Sequence, residues 1–185
     1  MKFIHLNHEK NTDITLTEPG KYVAFMKNIS GEFIFHMEAE KIDLEIYGVF
    51  DGKNQDDFRI HTVQHHAAPN SISNLLIKGV FDDESKFHYT GLVKIDKNAQ
   101  GSHAYQKNQN LILSPAVFVE SEPFLEIEAN EVFCTHGSTT GKLNEDDIYY
   151  LRSRGISDGD SRKLLVDGFL DEILHKLKSE HNTTI

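Results

Sequence analysis

Between Lys21 and Leu143 the chain is a succession of short apolar runs rich in Val, Ile, Phe and Tyr, cut by Gly, Asn and Asp, and almost nothing in it repeats on a helical period. Runs of this length and alternation read as strands. The spacing predicts them at 22–26, 32–37, 41–50, 58–64, 74–81, 87–95, 110–113, 124–129 and 131–136. So many strands without helices between them exclude an α/β wrapped sheet and leave a solenoid, a sandwich or a jelly roll. Asp51-Gly52 fits a two-residue hairpin turn, whereas most breaks lack that signature and read as corners. Asn74-Leu-Leu-Ile is echoed by Asn110-Leu-Ile-Leu, and Gln64-His65-His66-Ala67 by Thr135-His136-Gly137-Ser138. Self-similarity at intervals of a few tens of residues is what a β-solenoid produces, since each coil covers the apolar face of the one before it. On pattern alone a solenoid stands slightly ahead of the other two architectures.

After Leu143 the grammar turns helical. Asn144 reads as an N-cap, Tyr149, Tyr150 and Leu151 supply apolar contact, and Gly155 stands where a C′ residue belongs. Ser157 caps a second helix, with Asp160 at the capping-box position. There Leu164, Leu165, Phe169, Ile173, Leu174 and Leu177 recur at spacings of three and four, a stripe that docks on the chain's own core or on a partner. The final KSEHNTTI is polar and is expected to fray. The chain thus divides into a β domain, 1–143, and a C-terminal helical segment, 144–185.

A chain of 185 residues can bury a core without staples, and its single cysteine, Cys134, excludes an intrachain disulfide and fits a reducing cytosol. No run approaches the length of a membrane span, so a cytoplasmic location is expected. The formal charge of −10 repels a phosphate backbone, which argues against nucleic acid as a partner. Two short helices joined at a glycine resemble a helix-turn-helix only superficially, because Glu145, Asp146 and Asp147 flank Arg152 and Arg154. Most of the 11 histidines are scattered singly and read as surface or turn residues.

Three places hold residues able to do chemistry: His65-His66, Cys134 with His136, and the polar corner from Ser102 to Asn110. On a strand, residues i and i+2 share a face, so Cys134 and His136 form a pair of soft and borderline metal ligands. His65 and His66 point to opposite faces, so at most one of them belongs to a site. Zinc in a closed structural site needs four ligands, which one cysteine does not supply. Gly137 to Lys142 is too short between its glycines for a phosphate loop. The bland readings are a small buried hydrophobe for Cys134 and a corner histidine for His136.

The stretches HHAAPNSISNLLIKGVFDDESKFHYTGLVKI, AYQKNQNLILS, PFLEIEANEVFCTHGSTTGKL and IYYLRSRGIS, in that order, resemble the SufB/SufD family of iron–sulfur cluster assembly scaffolds, with SufD the nearer type. The resemblance covers about 65–177. It implies a mainly β fold, a right-handed parallel β-helix (β-solenoid) followed by a small C-terminal α-helical segment. It also implies a non-catalytic subunit whose helical segment docks a SufC-like ABC ATPase, here through Leu164, Leu165, Phe169 and Ile173. The terminal coils are expected to pair with a SufB-like subunit or a second copy, strand beside strand. His136 falls on the histidine of the family's C-S-H-G motif, implicated in cluster assembly or iron acquisition at the subunit interface, and Cys134 on its cysteine. Iron or a transient iron–sulfur cluster is then cargo at that interface, with no cofactor firmly bound. Asn108 falls near the assembly cysteine of SufB-type subunits, and an amide does not replace a thiolate, so this chain is not expected to accept sulfur. Family members usually run to twice this length with an N-terminal helical domain, which leaves flavin open. Two alternatives remain: a β-helix metalloenzyme with His65 or His66 and His136 as ligands, and a bare interaction module.

Overall fold

The computed structural model describes residues 1–7 and 12–181. Among these residues eleven strands wind between two sheets: β1 (Lys2–His5), β2 (Asp13–Leu16), β3 (Gly20–Lys27), β4 (Gly31–Met37), β5 (Ile42–Gly52), β6 (Asp57–His66), β7 (Ile72–Phe81), β8 (Lys86–Ile95), β9 (His103–Ile112), β10 (Phe118–Ile127) and β11 (Phe133–Gly141). The six-stranded sheet runs β1-β3-β5-β7-β9-β11 and the five-stranded sheet β10-β8-β6-β4-β2. Every pairing is parallel, and each strand pairs with the one two places on in sequence. The architecture is therefore the expected β-solenoid, one strand of each coil in each sheet. The first coils are short, with Lys2 beside Tyr22 and Asp13 beside Ile34. Later coils are longer, with Asp57 beside Lys86 and Lys86 beside Phe118.

Alternation puts one face of each strand in the lumen. Phe33, Phe35, Phe50, Phe81 and Phe87 fill it with Leu44, Ile46 and Ile77, all nearly inaccessible. Phe87 stacks on Phe81 at 4.9 Å between centroids and meets Phe50 at 5.0 Å. Towards the C-terminal coils the lumen becomes polar. Thr62 Oγ1 lies 2.9 Å from the Tyr89 hydroxyl, which also accepts from Gln106 Nε2 at 2.6 Å. Gln64 Nε2 donates to Ser73 Oγ at 2.7 Å, and His66 Nε2 lies 2.8 Å from the same hydroxyl. These groups are all buried, so the pairings hold polar atoms that water does not reach.

Helix α1 (Glu145–Ser153) is capped by Asn144, whose side chain accepts from the Asp146 amide at 2.9 Å. It ends at Gly155 (φ +88°), where the Gly155 amide donates to Arg152 O and the Ile156 amide to Leu151 O. Ser157 caps α2 (Asp158–His181), accepting from the Asp160 amide at 3.1 Å and donating to its carboxylate at 2.6 Å. Helix α2 folds back on the outer face of the six-stranded sheet, where Leu170, Ile173 and Leu177 pack on Val23, Tyr47, Val49 and Leu76. Lys78, 4% exposed, rises from that sheet to donate to Phe169 O at 2.8 Å and meet Glu172 at 2.5 Å, its ammonium 4.5 Å from the Phe169 ring centroid. The Lys78 hydrogen bond holds the Glu172 carboxyl below its ordinary range.

Several expectations are corrected. Strands begin at Lys2, well before Lys21, and the supposed polar corner from Ser102 to Asn110 is mostly strand β9. β10 starts at Phe118, six residues before the expected 124, and β11 runs on to Gly141. Asp51-Gly52 ends a parallel strand and turns no hairpin. Asn74 lies beside Tyr105 rather than Asn110, so the Asn-apolar echo is not the structural repeat. Helix α2 extends through Lys178 to His181, and the rest of the tail, 182–185, lies outside the described residues. Among the described residues no helix is long and apolar enough to cross a membrane.

Candidate functional site at the terminal coil

The last coil carries the pair singled out in the sequence. On β11, Cys134, His136, Ser138 and Thr140 take the positions that continue the lumen-facing row of β9, beside Ala104, Gln106, Asn108 and Asn110. Cys134 is half-buried against Val93, Ile95, Ala99, Ala104 and Ala129. Burial pushes its thiol above the ordinary range, and a backbone hydrogen bond at Ala104 pulls more weakly the other way. The thiol form therefore dominates at neutral pH, and thiolate character requires an incoming cation or partner charge. His136, two residues on, is exposed, and β11 has no strand on its outer edge among the described residues.

Among the described residues nothing caps the end of the solenoid. Leu125 and Ile127 of β10 stack on Val93 and Ile95 of β8, yet they are 37% and 41% exposed where the residues beneath them are fully covered. Phe118, Phe124 and Phe133 add further exposed apolar surface around the same coil. Asn108 is buried in the lumen, its Oδ1 accepting from Asn110 Nδ2 at 2.7 Å, and Asn110 Nδ2 also reaches Thr140 Oγ1 at 3.4 Å. An inter-amide bond thus occupies this position of the lumen.

The other sequence candidates lie elsewhere. His66 is buried in the lumen, and desolvation, reinforced by the nearby His65, pushes its imidazole down to about 4. His65 is on the outer face of the five-stranded sheet, away from the lumen row that holds His136, and His66, though in the lumen, is bonded to Ser73 two coils below β11, so the metalloenzyme ligand set is not assembled. Among the described residues no three His, Cys, Asp or Glu side chains are grouped to hold a metal ion. Cys134 and His136 are, chemically, a thiol and an imidazole of the kinds that ligate iron. On α2, Leu164 is 52% exposed, Leu165 and Phe169 are half-buried, and Ile173 is wholly inside the chain's own core. Sequence reasoning did not single out Lys78, and it read Tyr149 and Tyr150 as apolar contacts of α1, whereas both are exposed and Ile148 is the buried residue of that helix. An isolated lysine in an apolar run, as in Leu75-Leu-Ile-Lys78, is the signal that a buried ion pair leaves.

The family model for the SufBD core domain of the SUF system of iron–sulfur cluster assembly matches residues 11–169, from the edge of β2 into α2. The chain belongs to the SufBD family. A SufBD family protein of Synechocystis is 35% identical over 76% of this chain and 30% of its own length. One from Mycobacterium leprae is 31% identical over 89% of this chain and 42% of its own. The Escherichia coli iron–sulfur cluster assembly protein SufD is 32% identical over 58% of this chain and 26% of its own. This SufBD chain spans less than half the length of each of these relatives. The match also takes in the coils before about residue 60, beyond the stretch over which the motifs alone carried the resemblance.

Proposed function

We propose that this SufBD chain is a SufD-like, non-catalytic scaffold subunit of a cytoplasmic iron–sulfur cluster assembly complex. Its uncapped terminal coil pairs with a SufB-like subunit or with a second copy. The observation that carries the reading is the contrast between Leu125 and Ile127, left open, and Val93 and Ile95 one coil below, fully covered. A second solenoid laid edge to edge against β10 and β11 would bury those side chains and satisfy the open strand edges. The same docking would set Cys134 and His136 at the seam, where a partner's ligands complete a site for iron or a nascent cluster. Iron and sulfide are cargo in this reading, and ATP hydrolysis belongs to a SufC-like partner. Tyr149, Tyr150 and Leu164, exposed on the helical segment, with Leu165 and Phe169 beside Leu164 on α2, offer that ATPase its docking surface; Ile173 does not, because the chain's own sheet covers it.

The test is size-exclusion chromatography with light scattering on the chain alone and mixed with the SufC-like and SufB-like proteins of the same source. Ile127→Asp should abolish the strand-edge complex, and Leu164→Asp the ATPase complex, each leaving the other intact. His136→Ala should keep both complexes and lose cluster assembly. Complexes indifferent to Ile127→Asp and Leu164→Asp would sink the proposed geometry.

A further inference from the structure

Away from the terminal coil, the outer face of the five-stranded sheet carries a row of four ionisable side chains in a chain of contacts. His36 on β4 and His65 on β6 are adjacent in the ladder, with their Nδ1 atoms 2.8 Å apart and their rings nearly perpendicular at 80°. His36 Nε2 lies 3.0 Å from the Asp13 carboxylate on β2, and His65 Nε2 lies 3.0 Å from the Asp96 carboxylate after β8. Lys94 and Glu126 continue the row beyond His65, and Thr15 precedes His36.

A carboxylate at Nε2 fixes the proton there, because an ionised carboxylate only accepts. With both Nε2 atoms so held, the Nδ1 lone pairs face each other, and only a cation between them relieves the repulsion. A proton serves, leaving one negative charge on the two carboxylates and two rings together. A divalent ion in its place brings that total to zero. A carboxylate behind an imidazole whose other nitrogen points at a common centre is the arrangement that orients metal-bound histidines and raises their basicity.

We propose that His36 and His65 form a divalent-metal site on the outer face of the five-stranded sheet, taking ions of borderline softness such as Zn2+, Co2+, Ni2+ or Fe2+. Imidazole nitrogen suits these ions, and hard ions such as Mg2+ and Ca2+ prefer oxygen. At metal–nitrogen distances of about 2.0–2.1 Å, two nitrogens on a tetrahedral ion stand about 3.3 Å apart. The pair has to open by about 0.5 Å, which small rotations of two accessible rings supply; the side chains are 29% and 17% exposed. Asp13 and Asp96 act behind the rings, so the protein gives two direct ligands and water or a docked molecule the rest. The ion would clip β4 to β6, residues 29 apart in sequence and neighbours in adjacent coils. The site is independent of the scaffold reading, since Cys134 and His136 lie on the other sheet.

The experiment uses the full chain titrated with Zn2+ alone by calorimetry, with Co2+ absorption as a second probe and the wild type, His36→Gln, His65→Gln and His136→Ala compared. Stoichiometric binding weakened at least ~10-fold in both His36→Gln and His65→Gln, and unchanged in His136→Ala, is expected. Asp96→Asn should weaken it as well, by about 10-fold, the lower end of what losing a carboxylate behind a metal-bound histidine costs. Long-range 1H–15N spectra of the wild type read the site without substitution: Zn2+ should shift Nδ1 of His36 and His65 and leave His136 in place. Binding unchanged in both glutamine variants, shifts at other histidines instead, or no binding at millimolar Zn2+ would each overturn the proposal.

Discussion

Replacing Gly91 by alanine tests whether the polar lumen is as tightly built as the distances say. Gly91 sits in β8 with no positive φ, so its need for glycine is steric. A Cβ there would fall 1.5 Å from Gln106 Nε2, 2.7 Å from its Cδ and 2.4 Å from the Tyr89 hydroxyl. The Gln106 amide must leave, breaking its 2.6 Å bond to Tyr89, and at 1% exposure it finds no water. Orphaning that buried donor costs about 1–3 kcal/mol. Displacing packed neighbours costs about 1–3 kcal/mol more, while alanine returns about 0.5–1 kcal/mol of backbone entropy. The net expectation is a loss of about 3 kcal/mol. Urea unfolding followed by circular dichroism measures it in wild type, Gly91→Ala, Gln106→Ala and the double variant. In the Gln106→Ala background two of the three closest atoms are gone and the tyrosine hydroxyl remains, so Gly91→Ala should cost about 2 kcal/mol less there. A Gly91→Ala variant within about 0.5 kcal/mol of wild type, or costs that simply add, would refute the reasoning.

Two further outcomes follow from buried charge. His66 titrates near 4 in the folded chain against 6.5 ordinarily, so below 6.5 the unfolded state binds a proton that the native state refuses. Stability present above pH 6.5 is therefore lost as pH falls through about 4, by up to about 3 kcal/mol, and urea midpoints of His66→Gln should fall less steeply over that window. Lys78→Met keeps the volume of the side chain but drops its bonds to Phe169 O and Glu172. Because Glu172 stays 42% exposed and hydrated, the loss should be only about 1 kcal/mol, seen as faster amide exchange along α2 with the solenoid strands unchanged.

The sequence showed the solenoid where lumen residues are apolar and hid it where they are not. Strands such as β5 and β8 alternate plainly, and their expected ranges lie close to the observed ones. In β9 the lumen row is Ala104, Gln106, Asn108 and Asn110, so a period-2 search finds a polar loop where a buried ladder runs. Register was not legible at all, because the repeat is defined by stacking rather than residue type. That is why Asn74 and Asn110 suggested a repeat that the coils do not keep. For the terminal site, the i, i+2 spacing put Cys134 and His136 on one face, but that this face continues the lumen row depends on the partner strand. The contact of His36 with His65 spans 29 residues and becomes visible only once the coils are stacked.

Helix α2 has a consequence for the order in which the chain assembles. Every strand pairing in the solenoid joins segments about one coil apart, so the coils can zip up in sequence like links of a chain. The bond from Lys78 to Phe169 closes a loop of 91 residues, and the helix reaches strands that are complete long before it is made. The entropy of that closure is met only when β3, β5 and β7 already present their outer face. The helix is therefore a late clasp: it locks a finished solenoid instead of nucleating it, and it is the element that should open first under mechanical load.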